Sequence, residues 1–481
     1  MNPSLILAID QGGQSSRVAI YSETGEQLCC FSAECTTQVF ADAATGKNFI
    51  QQDPEDIRGG VISCLQKIQQ VLGDDVQYIR AAGFAGQGSS LLCWHKQSGE
   101  ALTPVLSWQD IRGEDYLQNF PFSPMQVQQL TGLRISPHYG ASKMRWCLDH
   151  YPKVAEALAG NQLSIGPIVS YIFRHLLQME SLVDPGHAQR TLLWNLAENA
   201  WHQPLLDAFN IPIDVLPRCL HHNSFFGHLP LGSRSVPFTA SARDQGASLF
   251  ARGLPERNTC YINIGTGAFI QCLSESLQAP EGLLVSPLWL PEKSSQQNFY
   301  AWEATVNGAA SAIQYLQEET GLAITPAQIN EALLLNPESS CYMLNAIGGL
   351  SAPYWRTDLQ TQFCAGLTPE QKILAWLESI VFQILVNVRL MVGQGEGQKI
   401  FISGGLSNAD GLCQKIADLS NMPVHRSDNS DATLQGIACM AAGLPSHWQS
   451  PSNDEIFRPQ ANFKLHERYF LWKGKIKEWL A

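Results

Sequence analysis

Leu5-Ile6-Leu7-Ala8-Ile9 is an unbroken apolar run of strand length, and it ends in the polar, glycine-rich stretch Asp10-Gln11-Gly12-Gly13-Gln14-Ser15-Ser16. Residues 18–21 predict a second strand, residues 23–26 a turn, and residues 27–31 a third strand. The glycine loop therefore joins two strands as a hairpin. A dinucleotide fingerprint or a Walker loop needs its glycines to open a helix. No GxxxxGKS or GxxxxGKT occurs, so the motif of a P-loop kinase is absent. Helical periodicity begins after Asp53, a predicted N-cap with Pro54 at the first helical position. Ile57, Val61, Leu65, Ile68 and Leu72 then recur at helical spacing. Residues 78–84 predict a strand closed by Ala85-Gly86-Gln87-Gly88-Ser89-Ser90, and residues 91–94 a returning strand. Residues 123–225 read as helix-rich and broken by prolines. The apolar run 373–392 is interrupted by Glu378, Gln383, Asn387 and Arg389, which makes it a core helix rather than a membrane span. At the C-terminus, Trp472, Ile476 and Leu480 predict a docked amphipathic helix over 464–480.

The pattern resets in the second half. Residues 237–240 lead into Ser241-Ala242-Arg243-Asp244-Gln245-Gly246 and a small-residue helix over 247–251. Residues 260–264 form a strand ending in Gly265-Thr266-Gly267, and residues 268–273 return. Residues 399–403 are a strand ending in Gly404-Gly405, before a helix over 409–419. The strand–glycine loop–strand layout thus occurs twice. This predicts a duplicated α/β architecture of two similar domains, 1–240 and 241–481.

Composition narrows the function. The chain has 481 residues with a net charge of −12 and no basic run, which argues against nucleic acid and anionic membranes as partners. Thirteen cysteines contain no CxxC pair. Cys219 near His221 and His222 lacks a second spaced pair for a metal. The cysteines read as free thiols in a reducing cytosol, so a cytoplasmic location is expected. The opening MNPSLILAID has no positive stretch and no cleavage site, and does not read as a signal peptide.

Three glycine loops follow apolar strands, at Asp10, Gly265 and Gly404. Glycines let a backbone approach phosphate oxygens, and N–H groups and hydroxyls can cradle them. Phosphoryl transfer also needs Mg²⁺ on oxygen ligands and a carboxylate beside the acceptor hydroxyl. Asp10 suits the metal, through water, and Asp244 suits the base.

These residues resemble the FGGY family of carbohydrate kinases, and within it the glycerol kinases. Asp10-Gln11-Gly12-Gly13-Gln14-Ser15-Ser16-Arg17 resembles DQGTTSSR. Gly86-Gln87-Gly88-Ser89-Ser90 occupies the place of NQRET, and Trp108-Gln109-Asp110-Ile111-Arg112 matches WQDxR. Ser136 to Lys143 resembles SPYFSxTK, and Arg243-Asp244-Gln245-Gly246-Ala247 resembles GDQQA. Residues 263–269 look like NTYGTGCF, residues 349–355 like GLFAPYW, and residues 403–408 like DGGAxxN. The resemblance runs collinearly from Leu5 to about Trp472. It implies two actin-like (ribonuclease-H-like) ATPase domains with a central cleft. It implies ATP with Mg²⁺ as cofactors and a small sugar or polyol as partner; a homodimer and a tetramer both stay open. Asp244 takes the place of the general base, and Asp10 (through water) and Asp244 serve the metal. The nucleotide side falls on Gly12, Gly13, Gln14, Ser15, Arg17, Gly265, Thr266, Gly267, Gln314, Gly404, Gly405 and Asn408. The acceptor side falls on Gln87, Gly88, Ser89, His138, Asp244 and Gln245.

The departures are informative. Two phosphate-contacting threonines become Gly13 and Gln14, the Arg-Glu pair that grips glycerol becomes Gly88-Ser89, and a tyrosine becomes His138. Loss of the arginine at Gly88 is expected to open volume for a longer ketose or polyol. On that reading glycerol is a poor acceptor. The altered phosphate loop keeps open a catalytically weak relative that senses nucleotide or sugar, and a true glycerol kinase remains the other alternative. Trp108, Asp110 and Arg112 read equally as acceptor ligands or as a structural ion-pair cluster.

Overall fold

The computed structural model describes residues 4–42, 46–293, 295–337, 341–392, 398–427, 431–448 and 453–481. The first three residues of the opening segment lie outside them. The chain divides into two compact units. The first comprises Met1–Pro255, Ser286–Tyr300 and Asp431–Pro451, and the second Glu256–Val285, Ala301–Ser430 and Ser452–Ala481. This division differs from the 240/241 boundary expected from the sequence. Strand Arg234–Arg243 pairs within the first sheet, and the chain enters the Asp244 helix directly from it. Helix Ala432–Ala441 returns to pack on the same sheet.

In the first unit, six strands run in the order Gly227–Leu231, Arg234–Arg243, Ile79–Gly86, Leu5–Gln11, Ser15–Ser22, Gln27–Glu34. Leu5–Gln11 and Ser15–Ser22 form the predicted antiparallel hairpin. The three central strands are parallel. Leu5–Gln11 is buried along its whole length, which is why it reads as continuous rather than alternating. Helix Pro54–Leu72 starts as expected, with the Asp53 side chain accepting from the Glu55 N–H. Strand Leu91–His95 does not return beside Ile79–Gly86. It joins a second, five-stranded sheet between Val105–Leu106 and Leu163–Pro167. Gly86 to Ser90 is therefore a passage between sheets, not a hairpin turn.

In the second unit the pattern recurs. Thr259–Ile264 pairs antiparallel with Ala268–Ser274 on one side and parallel with Lys399–Ser403 on the other, followed by Val424–Arg426 in parallel. Helix Pro369–Met391 runs through its core. Among the described residues it is the one helix long and apolar enough to cross a membrane, and 83% of its apolar window is buried within the fold. The C-terminal helix Phe463–Leu480 buries Leu465, Arg468, Tyr469, Trp472 and Ile476. Fully buried Glu378 on the core helix accepts from Arg468 Nε and Nη2, both at 2.7 Å, and from Lys415 Nζ at 2.9 Å. One carboxylate thus ties three helices together. Removing one partner of a buried ion cluster leaves the others uncompensated, at a cost of about 3–5 kcal/mol. Glu378→Gln is expected to destabilise the second unit by that amount, measured by urea unfolding followed by circular dichroism.

Candidate active site

The parallel ladder sets the site of the first unit. Gln11 and Arg243 both pair with Gly86, so the ends of three strands lie side by side. They deliver Asp10-Gln11, Gly86-Gln87 and Arg243-Asp244 to one edge of the sheet. Helix Ala432–Ala441 lies close beneath these strands and against helix Asp244–Ser248. The approach requires Gly436, because a Cβ there would run into the Ala247 carbonyl oxygen.

Asp10 is 5% exposed. Its hairpin partner Arg17 donates to Oδ2 from Nη2 at 2.5 Å and from Nε at 3.2 Å, and reaches Asp431 Oδ1 from Nη1 at 2.6 Å. Burial outweighs this pairing and, with repulsion from Asp244 and Asp431, pushes the Asp10 carboxyl up to about 6. Asp244 opens its helix, and its Oδ1 accepts from the Gln245 N–H at 2.7 Å. Burial raises its pKa above the ordinary carboxylate value, opposed by the Gln245 hydrogen bond and by Arg243, His187 and Arg190. A carboxylate raised in this way is a better proton acceptor near neutral pH.

The expected loop residues are arranged as follows. The Gly12 N–H donates to the Ser15 carbonyl at 2.9 Å, which closes the turn and leaves Gln14 exposed. The Gly13 carbonyl accepts from Gln52 Nε2 at 2.7 Å and from Thr37 Oγ1 at 3.2 Å. Gln87 is buried. Its Nε2 donates to Gln52 and Gln11, and its Oε1 accepts from Ser90 Oγ. Its amide is thus taken up within the site wall. Ser89 adopts φ 65°, with its carbonyl turned to Lys143 Nζ at 2.8 Å. His138 is exposed, with Nδ1 3.2 Å from the Trp108 carbonyl. Asp110 and Arg112 form a fully buried ion pair at 2.7 Å under Phe49 and Trp146. Their geometry is that of structural support.

Gly88 does not open volume, contrary to the expectation from sequence. A Cβ on it would stand 3.2 Å from Arg243 Cδ and 3.3 Å from Arg190 Cγ. Side chains from neighbouring elements occupy the space beside it.

Sequence reasoning missed three groups. Lys143 is fully buried and bridges the carbonyls of Ser89 and Ser107. Burial lowers its pKa to about 7. His187 directs Nδ1 to Asp184 Oδ2 at 2.6 Å and Nε2 to the Gly86 carbonyl at 3.2 Å, and Ser241 Oγ donates to the same Asp184 oxygen. Burial would raise Asp184, yet His187, His222 and Ser241 hold it well below the usual range. Arg190 is the third. Lys143 lies within the motif-like stretch from Ser136, so that motif was a usable signal. A lone histidine and arginine carried none.

In the second unit, the Gly265-Thr266-Gly267 turn is closed by Gly265 N–H donating to the Gly267 carbonyl at 2.9 Å. The N–H groups of Ala310 and Ser311 donate to the carbonyls of Gly265 and Thr266. Gly404, at φ 93°, packs on the Ile264 backbone where a Cβ would clash. Gly405 faces open space and Thr266 is exposed, so a ligand can approach both. Gln314, on helix Ile313–Thr320, is exposed and donates to Glu318. Asn408 is exposed at the end of the turn Gly405–Asn408.

Residues 5–251 match the N-terminal domain, and residues 260–443 the C-terminal domain, of the FGGY family of carbohydrate kinases. The chain belongs to that family. It is 29% identical to a glycerol kinase of Acinetobacter baylyi and 26% identical to glycerol kinase 1 of Thermotoga maritima. The alignments cover 98% and 99% of this chain, and the same shares of those proteins. Its fold superposes on a Plasmodium falciparum glycerol kinase crystallised with ADP, with a TM-score of 0.88 at 21% identity over 100% of this chain and 99% of that one. It superposes on a Lactobacillus acidophilus xylulose kinase at 0.81, with 19% identity over 99% and 98%. The two-domain actin-like fold and carbohydrate kinase activity follow from family membership.

The family implies Mg²⁺. Among the described residues no group of three or more His, Cys, Asp or Glu could hold a metal by itself. Asp10, raised chiefly by burial, also feels repulsion from Asp244 and Asp431. Hard carboxylate oxygens fit a magnesium ion that takes its remaining ligands from phosphate and water.

Lys143 supplies a test of the site wall. Its pKa in the fold lies below that of the unfolded chain, so the charged form is penalised at low pH and the penalty fades as pH rises. Relative to Lys143→Met, the wild type is expected to gain about 2 kcal/mol of stability between pH 7 and pH 9. Urea unfolding of both proteins at the two pH values measures it.

Proposed function

We propose that this kinase transfers the γ-phosphoryl group of ATP to a hydroxyl of a small sugar, ketose or polyol, with Asp244 as general base. The observation that supports the assignment is the Asp244 carboxylate, raised by burial at the same sheet edge as Asp10. The acceptor oxygen attacks the γ-phosphorus, the bond to the β-bridging oxygen breaks, ADP leaves, and the hydroxyl proton passes to Asp244. Asp10, held by Arg17, is the group suited to Mg²⁺ through water. Bound Mg²⁺ supplies positive charge against the phosphate oxygens. Gly12, Gly13, Gln14 and Ser15 would face the transferred phosphate. Thr266, Gly267 and Gly405 would offer backbone N–H groups to the nucleotide, Gly265 and Gly404 would allow its close approach, and Gln314 and Asn408 would lie toward its adenosine end. Gln245 and Ser89 stand on the acceptor side. Gln87 would act there by holding the loop, and His138 lies at its exposed margin.

ADP release with Mg²⁺-ATP across glycerol, erythritol, ribitol, xylitol, the ribuloses, the xyluloses and gluconate tests this reading. Acceptor-dependent turnover is expected, and Asp244→Asn should lower kcat by ~100-fold or more. KM for ATP should stay within about threefold. Nucleotide binding without turnover on any acceptor would instead favour a nucleotide-sensing relative.

A further inference from the structure

Arg243 ends its strand immediately before Asp244 and pairs in register with Gly86, two residues from Gly88. Its stem crosses the face of Gly88 so closely that even a methyl group there would crowd it. Arg190 crowds the same glycine, its Cγ 3.3 Å from where a Cβ would stand. It is anchored by Nη2 donating to Ser286 Oγ at 2.9 Å, and it lies over the Tyr139 ring at 5.8 Å. Both arginines are buried, and both act electrostatically on the Asp244 carboxylate. The family pattern quoted above carries arginine at position 88 and glycine at 243. This chain carries glycine at 88 and arginine at 243. A side chain absent from position 88 is thus matched by one at the neighbouring strand end, whose stem lies against Gly88.

We propose that Arg243 is the specificity-determining guanidinium of this kinase, reaching across Gly88 to the acceptor, and that the acceptor is a polyol of glycerol or erythritol size with adjacent hydroxyls. The proposal rests on the reading of Asp244 as the base. A guanidinium presents N–H donors in a fixed fork that can span two neighbouring oxygens. Arg243 also acts electrostatically on Asp244, which keeps that charge near the proton acceptor. The filled space over Gly88 disfavours a longer chain.

Calorimetric titration with glycerol and with xylitol, without ATP, tests this on the wild type, Arg243→Gly, Arg243→Lys, Gly88→Arg and the Gly88→Arg/Arg243→Gly double variant. Steady-state kinetics and melting temperatures accompany it. Wild type should bind glycerol more tightly than xylitol. Arg243→Gly should weaken glycerol binding and raise its KM by about tenfold or more, with KM for ATP unchanged. Arg243→Lys should fail to restore it, because lysine keeps the charge without the fork. Gly88→Arg alone must displace the Arg243 stem and should also lose affinity, whereas the double variant should recover most of the loss. Wild-type preference for xylitol, unchanged glycerol binding in Arg243→Gly or Arg243→Lys, or purely additive losses in the double variant would each overturn the proposal. If Gly88→Arg does not fold, the two Arg243 single variants decide it. Binding needs no turnover, so this outcome is separate from the failure of Asp244 as base.

Discussion

Three parallel strands end level with one another, and the chemistry of the first unit depends on that register. Gln11, Gly86 and Arg243 stand opposite each other in the ladder. The residues next to them are Asp10, Asp244 and the loop that starts at Gln87. Strand side chains alternate between faces, so a slip of one residue would turn Asp10 or Asp244 to the opposite face. The strand between them, Ile79–Gly86, is mostly small and apolar, and helix Ala432–Ala441 settles close beneath it. That helix begins beside Asp431, the second carboxylate on Arg17. The backbone ladder thus fixes the charges, and a segment from late in the chain completes their balance.

The two units present different kinds of group. The first concentrates ionised side chains: Asp10, Asp244 and Asp431 against Arg17, Arg190 and Arg243. Burying so much charge is costly unless each member is paired or hydrogen-bonded. The raised Asp10 and Asp244 carboxyls show where that compensation is incomplete. The second unit presents glycine turns at the ends of Thr259–Ile264 and Lys399–Ser403, with an exposed threonine and no charged residue in either turn. One surface can accept a proton and attract a cation. The other offers glycine turns open to close approach.

Local chemistry explains which features were legible in the sequence. The hairpin at Gly12 and Gly13, the Asp53-Pro54 helix start, and the C-terminal helix each depend on residues within one or two turns of themselves. Features that depend on distant partners were not legible. Strand Leu91–His95 has the periodicity of a strand, but periodicity does not say which sheet accepts it. A boundary near 240 leaves out the return of 286–293, 295–300 and 431–448 to the first unit, whose packing partners lie far away in sequence. The residues beside Lys143 do not announce its burial, because the Ser89 and Ser107 carbonyls that converge on it lie far away in sequence.

Gly88 shows the same limit in the site itself. Read alone, a glycine in place of an arginine is a hole. In the fold its missing side chain is what permits Arg243 to lie where it does, so the two positions form one steric unit. Substitutions at residues sharing one contact do not add, and neither position has a meaning for acceptor size without the other. The sequence held both halves of this exchange, separated by more than a hundred residues. The register of two parallel strands is what makes them neighbours.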